Sequence, residues 1–340
     1  MYKKVVKAEK LLFLTQIRKM LPEEIKEKRL LIAPLNWGMG HTFRLIPLLG
    51  IWKKQGNKIF MAVSETQKEI LHRYFADEIE YLKLEDYPFS FSAEKTILKA
   101  NFSSLQKLFR NHKIDYKHCE EYVKKHQIDV VISDHRYGFY SQKVTSIFLT
   151  HQTQLPINNG FIQRIHLRLI CKHFQEVWLY DNENRALSGN LTKHDFLKIP
   201  AKFIGIHSRF SEPTEKDAEL IVAIISGPKP YNQLLLKAVE KISEIQKRRI
   251  YCVTNLEVEG KFLQKVKPQK QDEVISRATT IISHMGYTTL MDLLFLKPKK
   301  CFLIPSPHQL EQEYLAEFHR GKNASWEILN SYEEIETIEN

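Results

Sequence analysis

The sequence has few cysteines and no long apolar run. Its 340 residues contain four cysteines, which lie far apart and form no CxxC pair: Cys119, Cys171, Cys252 and Cys301. This spacing argues against a disulfide framework or a zinc site and favours a reducing compartment. No apolar run approaches the roughly 20 residues that span a bilayer. The N-terminal run at 11–14 is also shorter than a signal-peptide core of about 7–15 residues. We therefore expect a cytoplasmic protein.

The features of a nucleic-acid-binding protein are also missing, although the chain is basic. We find no interleaving of aromatic and basic residues, no zinc pattern and no recognition-helix signature, which argues against nucleic acid as a partner. The net charge of +11 and the pI of about 9.2 still favour an anionic partner, such as a phosphorylated ligand or a lipid surface.

Much of the positive charge lies at the N-terminus. Residues 1–30 contain nine Lys or Arg and four Glu, and we predict a basic helical extension over 1–28. Two interpretations stay open, namely a packing extension and a helix on an anionic membrane surface. The second would attach a cytoplasmic protein to the inner face of the cell membrane.

The pattern of buried strands and amphipathic helices occurs twice along the chain. We predict one α/β domain over 29–205, a polar linker over 206–217, a second α/β domain over 218–330 and an acidic tail over 331–340. Alternation of strand and helix implies parallel sheets. In the first domain we predict a helical stretch over 94–126, broken near 111–113.

The first motif follows the first predicted strand and contains Gly38, Gly40 and His41. Glycines there allow a tight turn, and the helix N-terminus that follows can face an anion. A dinucleotide fingerprint would need a third glycine where Phe43 stands, and NAD binding would leave the second domain unexplained. A purely structural turn is the other alternative.

Two further motifs follow predicted strands of the second domain, where open α/β sheets bind ligands. Ser226, Gly227 and Lys229 follow its first strand, and Gly286 opens a later helix that carries Asp292. Glycine turns at helix starts suit a diphosphate, and a carboxylate further along such a helix suits ribose hydroxyls.

The segment 279–316 resembles the donor-binding signature of GT-B glycosyltransferases. In particular it is similar to relatives of the bacterial N-acetylglucosaminyltransferase that makes the lipid-linked peptidoglycan precursor. The segments 38–41 and 226–228 resemble the glycine loops that open the two domains of those enzymes. The segments 134–138, 150–152 and 187–189 resemble a subgroup of uncharacterised predicted glycosyltransferases. The resemblance spans roughly residues 30–320.

This resemblance implies an α/β protein of GT-B architecture, with two Rossmann-like domains whose parallel sheets face each other across a cleft. It implies transfer of a sugar, such as an N-acetylhexosamine, from a UDP-linked donor without a metal or other cofactor. The acceptor is unknown, and a lipid-linked or phosphorylated acceptor is expected from the basic composition. The departures are Met39 and Met285, where the family has small residues, and Asp292, where it usually has Glu.

The implied roles divide the site residues into three groups. His41 is the candidate general base on the acceptor hydroxyl. The donor-binding candidates are Ser226, Gly227, Lys229, His284, Gly286, Thr288, Thr289, Asp292, Glu311, Gln312 and Glu313. The acceptor-side candidates are Gly38, Gly40, Arg44, Asp134, His135 and Arg136.

Several alternatives stay open at this point. The two arginines of the acceptor side would either bind an acceptor phosphate or form salt bridges. A sugar-nucleotide epimerase and a non-catalytic sugar-nucleotide-binding protein would both use the same two-domain scaffold.

Overall fold

The computed structural model describes residues 21–85, 102–210 and 214–337, and of residues 102–109 and 337 it describes the backbone alone. The chain divides into two compact units, one ending at His207 and the other beginning at Ser208. This division falls within the predicted linker at 206–217. No helix of the described ranges is long and apolar enough to cross a membrane.

The first unit contains one parallel sheet with helices between its strands. Its elements are β1 (Arg29–Pro34), α1 (Gly40–Lys54), β2 (Lys58–Val63), α2 (Glu65–Phe75), β3 (Glu80–Lys83), α3 (Phe102–His126), β4 (Val130–Asp134), β5 (Thr145–Thr150), α4 (Gly160–His173), β6 (Glu176–Leu179) and β7 (Ala201–Phe203). The strand order is β3-β2-β1-β4-β5-β6-β7, and every pairing is parallel.

The second unit repeats this plan. Its elements are β8 (Asp217–Ile224), α5 (Tyr231–Gln246), β9 (Ile250–Val253), β10 (Leu263–Lys265), α6 (Gln271–Arg277), β11 (Ala278–His284), α7 (Tyr287–Leu296), β12 (Lys300–Ile304), α8 (Leu310–His319) and β13 (Trp326–Ile328). The strand order is β10-β9-β8-β11-β12-β13, again entirely parallel.

The central strands of the first sheet are apolar because they are covered on both faces. The residues of β4 and β5 are all buried, as expected for a parallel sheet that lies between two helix layers. In each sheet the strand order reverses beside the first strand, between β1 and β4 and between β8 and β11. Such switch points leave a crevice at the carboxyl ends of the strands, where α/β proteins bind ligands.

The predicted α/β alternation is confirmed, and the helix break near 111–113 is wrong. Helix α3 is continuous through these residues, and part of the predicted stretch, 94–101, lies outside the described residues. Packing explains the continuity: the His112 ring lies 5.0 Å from the His173 ring of α4, and the backbone at Gly138 approaches the His112 backbone closely. Tertiary contacts therefore override a locally weak helix pattern.

The described residues near both chain ends pack against the folded units. Residues 1–20 of the predicted basic helix lie outside the described residues, but the part from residue 21 packs on the first unit. There the Trp52 indole donates to the Pro22 carbonyl at 3.1 Å, and Ile25 is buried. The predicted acidic tail contributes a short helix, Glu333–Thr337, whose Ile335 joins the core of the second unit.

Candidate functional site

The first candidate residues lie in the loop after β1 and at the start of α1, at the switch point of the first unit. Gly38 has φ of 71°, a backbone conformation that glycine adopts without strain. Helix α1 begins at Gly40, so His41 lies in its first turn. The predicted glycine turn is therefore present, and it places His41 beside the end of β4.

Arg44 and Asp134 form a buried ion pair below His41. Arg44 Nε donates to Asp134 Oδ2 at 2.9 Å, and Arg44 Nη2 donates to Asp134 Oδ1. His41 Nδ1 lies 3.2 Å from Asp134 Oδ1 and 2.7 Å from Arg44 Nη2. The guanidinium carbon also lies 4.8 Å from the centroid of the Tyr180 ring.

The charges in this cluster nearly cancel. Burial alone would raise the pKa of Asp134, but Arg44 and His41 hold that pKa well below its usual value. Burial, together with the charge of Arg44, lowers the pKa of His41, and Asp134 opposes this only in part. His41 is therefore neutral near pH 7, as a general base must be.

Three more histidine side chains belong to this cluster. His151 Nδ1 lies 2.6 Å from Arg44 Nη1, and His135 Nδ1 lies 3.0 Å from Thr150 Oγ1. The His135 ring lies 5.8 Å from that of His41 and 6.4 Å from that of His166. His135 also has φ of 64°, a left-handed conformation that is uncommon outside glycine.

The two arginines of the acceptor side form salt bridges. Arg136 Nη2 donates to Asp115 Oδ1 at 2.7 Å and Arg136 Nε donates to Asp115 Oδ2 at 3.1 Å, and both residues are buried. Arg44 is likewise occupied by Asp134. Of the two interpretations of these arginines, the salt-bridge interpretation therefore matches the contacts.

The predicted donor loops lie at the switch point of the second unit. Ser226 and Gly227 follow β8, and both are exposed, as is Lys229. Gly227 has φ of 96°, which again favours glycine. Gly286 is the N-cap of α7, so the half-exposed Thr288 and Thr289 lie in the first turn, as predicted.

His284 connects these two loops. Its Nδ1 lies 3.0 Å from the Ser226 carbonyl oxygen, and its Nε2 lies 2.9 Å from the Tyr332 hydroxyl. A carbonyl oxygen only accepts, so Nδ1 carries the proton and Nε2 accepts from the hydroxyl. Burial lowers the pKa of His284 to about 4. The neutral ring therefore fixes the Ser226 loop, which makes His284 a positioning residue rather than a direct ligand.

Asp292 is engaged by residues from the start of the second unit. Its Oδ1 accepts from Ser208 Oγ at 2.7 Å, and its Oδ2 lies 3.6 Å from Arg209 Nη2. Arg209 Nε also lies 3.1 Å from Asp272 Oδ1. Burial raises the pKa of Asp292, against the opposing effects of Arg209 and Ser208. A ribose hydroxyl that donates to the Asp292 carboxylate would either displace the Ser208 hydroxyl or bind beside it.

The acid and amide side chains of α8 fix the loop before that helix. Gln312 Oε1 accepts from the Ser306 backbone N–H at 2.9 Å, and Glu313 Oε1 accepts from the His308 backbone N–H at 2.8 Å. Glu311 is half-buried in the first turn of α8. The three predicted sugar-binding residues thus lie together, but two of them already hold the loop in place.

Within the described ranges, no group of three or more His, Cys, Asp or Glu side chains is arranged to hold a metal ion. In the histidine cluster of the first unit, formed by His41, His135, His151 and His166, the Nδ1 atoms contact Asp134, Arg44, Thr150 and Tyr137.

Sequence comparison and structure comparison give different results. No family model and no curated protein matches the chain by sequence. Solved structures match almost the whole chain. The glycosyltransferase of kitacinnamycin has a TM-score of 0.62 at 12% identity, over 93% of this chain and 88% of its own. The protein has the GT-B fold.

Two further matches were solved with nucleotides. Spinosyn rhamnosyltransferase SpnG complexed with thymidine diphosphate has a TM-score of 0.57 at 11% identity, over 91% of this chain and 90% of its own. Arabidopsis thaliana UGT89C1 complexed with UDP-L-rhamnose has a TM-score of 0.58 at 11% identity, over 92% and 88%. These likenesses establish the fold, and the narrower resemblance to the peptidoglycan-precursor enzyme stays a prediction.

Sequence reasoning gave no role to several residues of these sites. His151 lies in the segment 150–152, whose resemblance is noted above, and its position directly after the buried strand β5 is a signal for a site residue. His166 lies one helical turn before the buried Ile170 on α4. This spacing predicts that His166 is buried, but it does not predict which side chains His166 contacts. Tyr180, Ser208 and Arg209 carry no motif at all.

Proposed function

We propose that this protein is a glycosyltransferase that moves a sugar from a nucleoside diphosphate donor to a hydroxyl group of an acceptor. The observation that carries the proposal is the position of His41, at the switch point of the first domain of a GT-B fold and 3.2 Å from the Asp134 carboxylate. A neutral imidazole oriented by a carboxylate is suited to remove a hydroxyl proton.

The acceptor chemistry requires one particular form of His41. Arg44 Nη2 can only donate, so its 2.7 Å contact makes His41 Nδ1 an acceptor in the resting cluster. Transfer requires the other tautomer, in which Nδ1 carries the proton and donates to Asp134 Oδ1, 3.2 Å away, and Nε2 is left as the base. Asp134 would then stabilise the imidazolium that forms when the acceptor hydroxyl loses its proton. Arg44 keeps Asp134 ionised and fixes the orientation of the carboxylate through two hydrogen bonds.

The second domain would bind the donor. The exposed loop at Ser226 and Gly227 and the helix start at Gly286 would hold the diphosphate through backbone N–H groups. Lys229 is exposed and would stabilise the charge that develops on the leaving diphosphate. Asp292 would bind the ribose, and Glu311 with Gln312 would orient the sugar.

The identity of both substrates is part of the proposal. The resemblance of residues 279–316 favours a UDP-linked N-acetylhexosamine, whereas the structural neighbours include proteins solved with thymidine diphosphate and with UDP-L-rhamnose. We propose a lipid-linked acceptor, and therefore peripheral attachment to a membrane, because the chain is strongly basic. We also propose that transfer needs no metal, since Lys229 and two helix starts can stabilise the leaving group.

The test combines binding with turnover. Purified full-length protein is screened by thermal shift against UDP, GDP, TDP, CMP and NAD, with and without chelator. Release of nucleoside diphosphate from the matching sugar donor is then measured for the parent, His41→Ala and Asp134→Asn. Loss of a general base should lower the rate about 10²–10⁴-fold, while the nucleotide-induced thermal shift should be unchanged in His41→Ala.

Other outcomes identify the alternatives. Free nucleoside diphosphate together with an altered free sugar, at a rate independent of any acceptor, would indicate an epimerase. A nucleotide-induced shift without turnover of any donor would indicate a non-catalytic binding protein. A shift with NAD alone would exclude the glycosyltransferase proposal.

A further inference from the structure

The surface of helix α4 has an unusual composition. No Asp or Glu occurs between Asp134 and Glu176, a segment that contains all of α4. The helix exposes three cations, Arg164, Arg168 and Lys172, at intervals of four residues. Residues spaced in this way lie on one face of a helix. None of the three forms an ion pair with a described residue.

Apolar side chains accompany these cations. Phe161, in the first turn of α4, is 62% exposed and is the most exposed large apolar side chain in the described part of the chain. Ile165 and Leu169 of the same helix are only partly buried. Exposed aromatic and aliphatic side chains beside Arg and Lys are typical of helices that lie in a lipid interface.

The neighbouring helix extends the basic surface. The rings of His112 in α3 and His173 in α4 lie 5.0 Å apart, so the two helices are adjacent. Helix α3 exposes Arg110, Lys113 and Lys117. Of its three carboxylates, Asp115 is paired with Arg136, Glu120 is paired with Lys143, and Glu121 lies one turn beyond Lys117.

We propose that the outer face of α4, together with these basic residues of α3, binds the surface of a bilayer that contains anionic lipids. The unpaired cations favour an anionic surface, and Phe161 with its apolar neighbours favours a bilayer over a nucleic acid or an acidic protein. This site is distinct from the predicted N-terminal membrane helix, most of which lies outside the described residues.

The inner face of α4 links this surface to the histidine cluster. His166 Nδ1 lies 2.8 Å from the Tyr137 hydroxyl, and its ring lies 6.4 Å from that of His135. A bilayer bound to α4 would therefore lie one helix away from the acceptor-side residues. The binding proposal does not depend on transfer chemistry; if the proposed function also holds, this geometry favours a lipid-linked acceptor.

Vesicle sedimentation of the full-length protein tests the proposal. We expect binding to phosphatidylcholine vesicles that contain phosphatidylglycerol and weak binding to phosphatidylcholine alone. The triple variant Arg164→Glu, Arg168→Glu, Lys172→Glu should bind about a hundredfold more weakly, because each basic residue at an anionic surface contributes roughly a factor of five. Phe161→Ser should weaken binding about tenfold.

A matched control has the same net charge. Lys261→Glu, Lys267→Glu, Lys299→Glu alters three exposed lysines of the second unit and should bind like the parent. Equal losses in both triple variants, or no binding by the parent, would overturn the proposal. Weak binding by the α4 charge variant with unchanged binding by Phe161→Ser would overturn the insertion of apolar side chains into the bilayer, because attraction by charge alone would then account for the binding. Thermal unfolding of each variant checks that it is folded.

Discussion

Arg44 binds both carboxylate oxygens of Asp134, through Nε at 2.9 Å and through Nη2, and it also reaches His41 Nδ1 at 2.7 Å. In a simple pair of His and Asp, the carboxylate raises the pKa of the imidazole. Here burial lowers the pKa of His41, and the guanidinium lowers it further, because Arg44 Nη2 lies closer to Nδ1 than Asp134 Oδ1 does, at 2.7 Å against 3.2 Å. Asp134 therefore lies in contact with His41 while burial and Arg44 together keep the imidazole neutral.

The first prediction concerns the pH dependence of the reaction. In Arg44→Gln the charge that lowers the pKa of His41 is lost, whereas Asp134 still raises that pKa. A base with a higher pKa is protonated at higher pH, so the acidic limb of the profile of kcat/KM should move to higher pH. Arg44→Lys keeps the charge and should move the limb less. An acidic limb that is the same in parent and Arg44→Gln would contradict this role.

The second prediction concerns stability. Asp134→Asn leaves the Arg44 guanidinium buried without its counter-ion, and removing one partner of a buried pair typically costs about 3–5 kcal/mol of the free energy of unfolding. The double variant Arg44→Met, Asp134→Leu should recover most of this loss, because apolar residues of similar volume can replace a buried pair. Urea unfolding measures all three proteins.

An exposed ion pair provides the control for this comparison of variants. The side chains of Lys58 and Glu80 form an ion pair with 50% and 45% exposure, so Lys58→Ala should change the free energy of unfolding by less than about 1 kcal/mol. A double variant that is no more stable than Asp134→Asn would show that the buried pair is not the source of the loss.

The parts of the site that follow from local sequence could be predicted. An apolar run followed by Gly38 and Gly40 indicates a strand, a turn and a helix start, and β1 and α1 have that arrangement. The same reasoning places Gly286 at the start of α7. These features depend on hydrophobic periodicity and on the backbone freedom of glycine, which short segments encode.

The parts that depend on distant pairing could not be predicted. Arg44 and Asp134 meet because β1 pairs with β4. The sequence alone left both an acceptor phosphate and a salt bridge open for Arg44, with the salt bridge slightly favoured. Ser208 reaches Asp292 across many intervening residues, from a segment that the sequence indicates only as a linker. The short edge strands β3, β10 and β13 have too few residues for a distinct period.

The third prediction separates a ribose-binding role of Asp292 from a structural one. Asp292→Ala should lose the thermal shift that saturating nucleoside diphosphate produces in the parent. At about 100 times the dissociation constant, that stabilisation is roughly 2.7 kcal/mol. Ser208→Ala removes the present partner of the carboxylate and should retain the shift. If both variants melt earlier and both keep a full nucleotide shift, then Asp292 only stabilises the fold.

The fourth prediction is a loss of stability in mild acid. Burial lowers the pKa of His284 and of His166 to about 4 each, whereas an unfolded histidine titrates near 6.5. Between these values the unfolded chain binds more protons than the folded one, so stability falls as pH decreases. Each residue should cost on the order of 2 kcal/mol at about pH 5.

The variant His284→Gln isolates one of these contributions. Glutamine does not titrate. The free energy of unfolding should therefore fall less between neutral pH and about pH 5 in the variant than in the parent, and the difference is the contribution of His284. The variant will be less stable at neutral pH, because Ser226 and Tyr332 lose a partner. An unchanged pH dependence, measured by urea unfolding at both pH values, would rule out titration of this ring as a cause.

The fifth prediction concerns the loop that carries His135. A Cβ atom at Gly138 would lie 2.5 Å from the His112 carbonyl oxygen and 2.6 Å from the His112 Cα. Because both are backbone atoms of α3, they cannot rotate away, and Gly138→Ala should cost about 1–3 kcal/mol or more. Gly160→Ala is the control, since a Cβ there meets nothing within 4 Å. If both variants unfold at the same urea concentration as the parent, then the close packing of this loop on α3 does not contribute to stability.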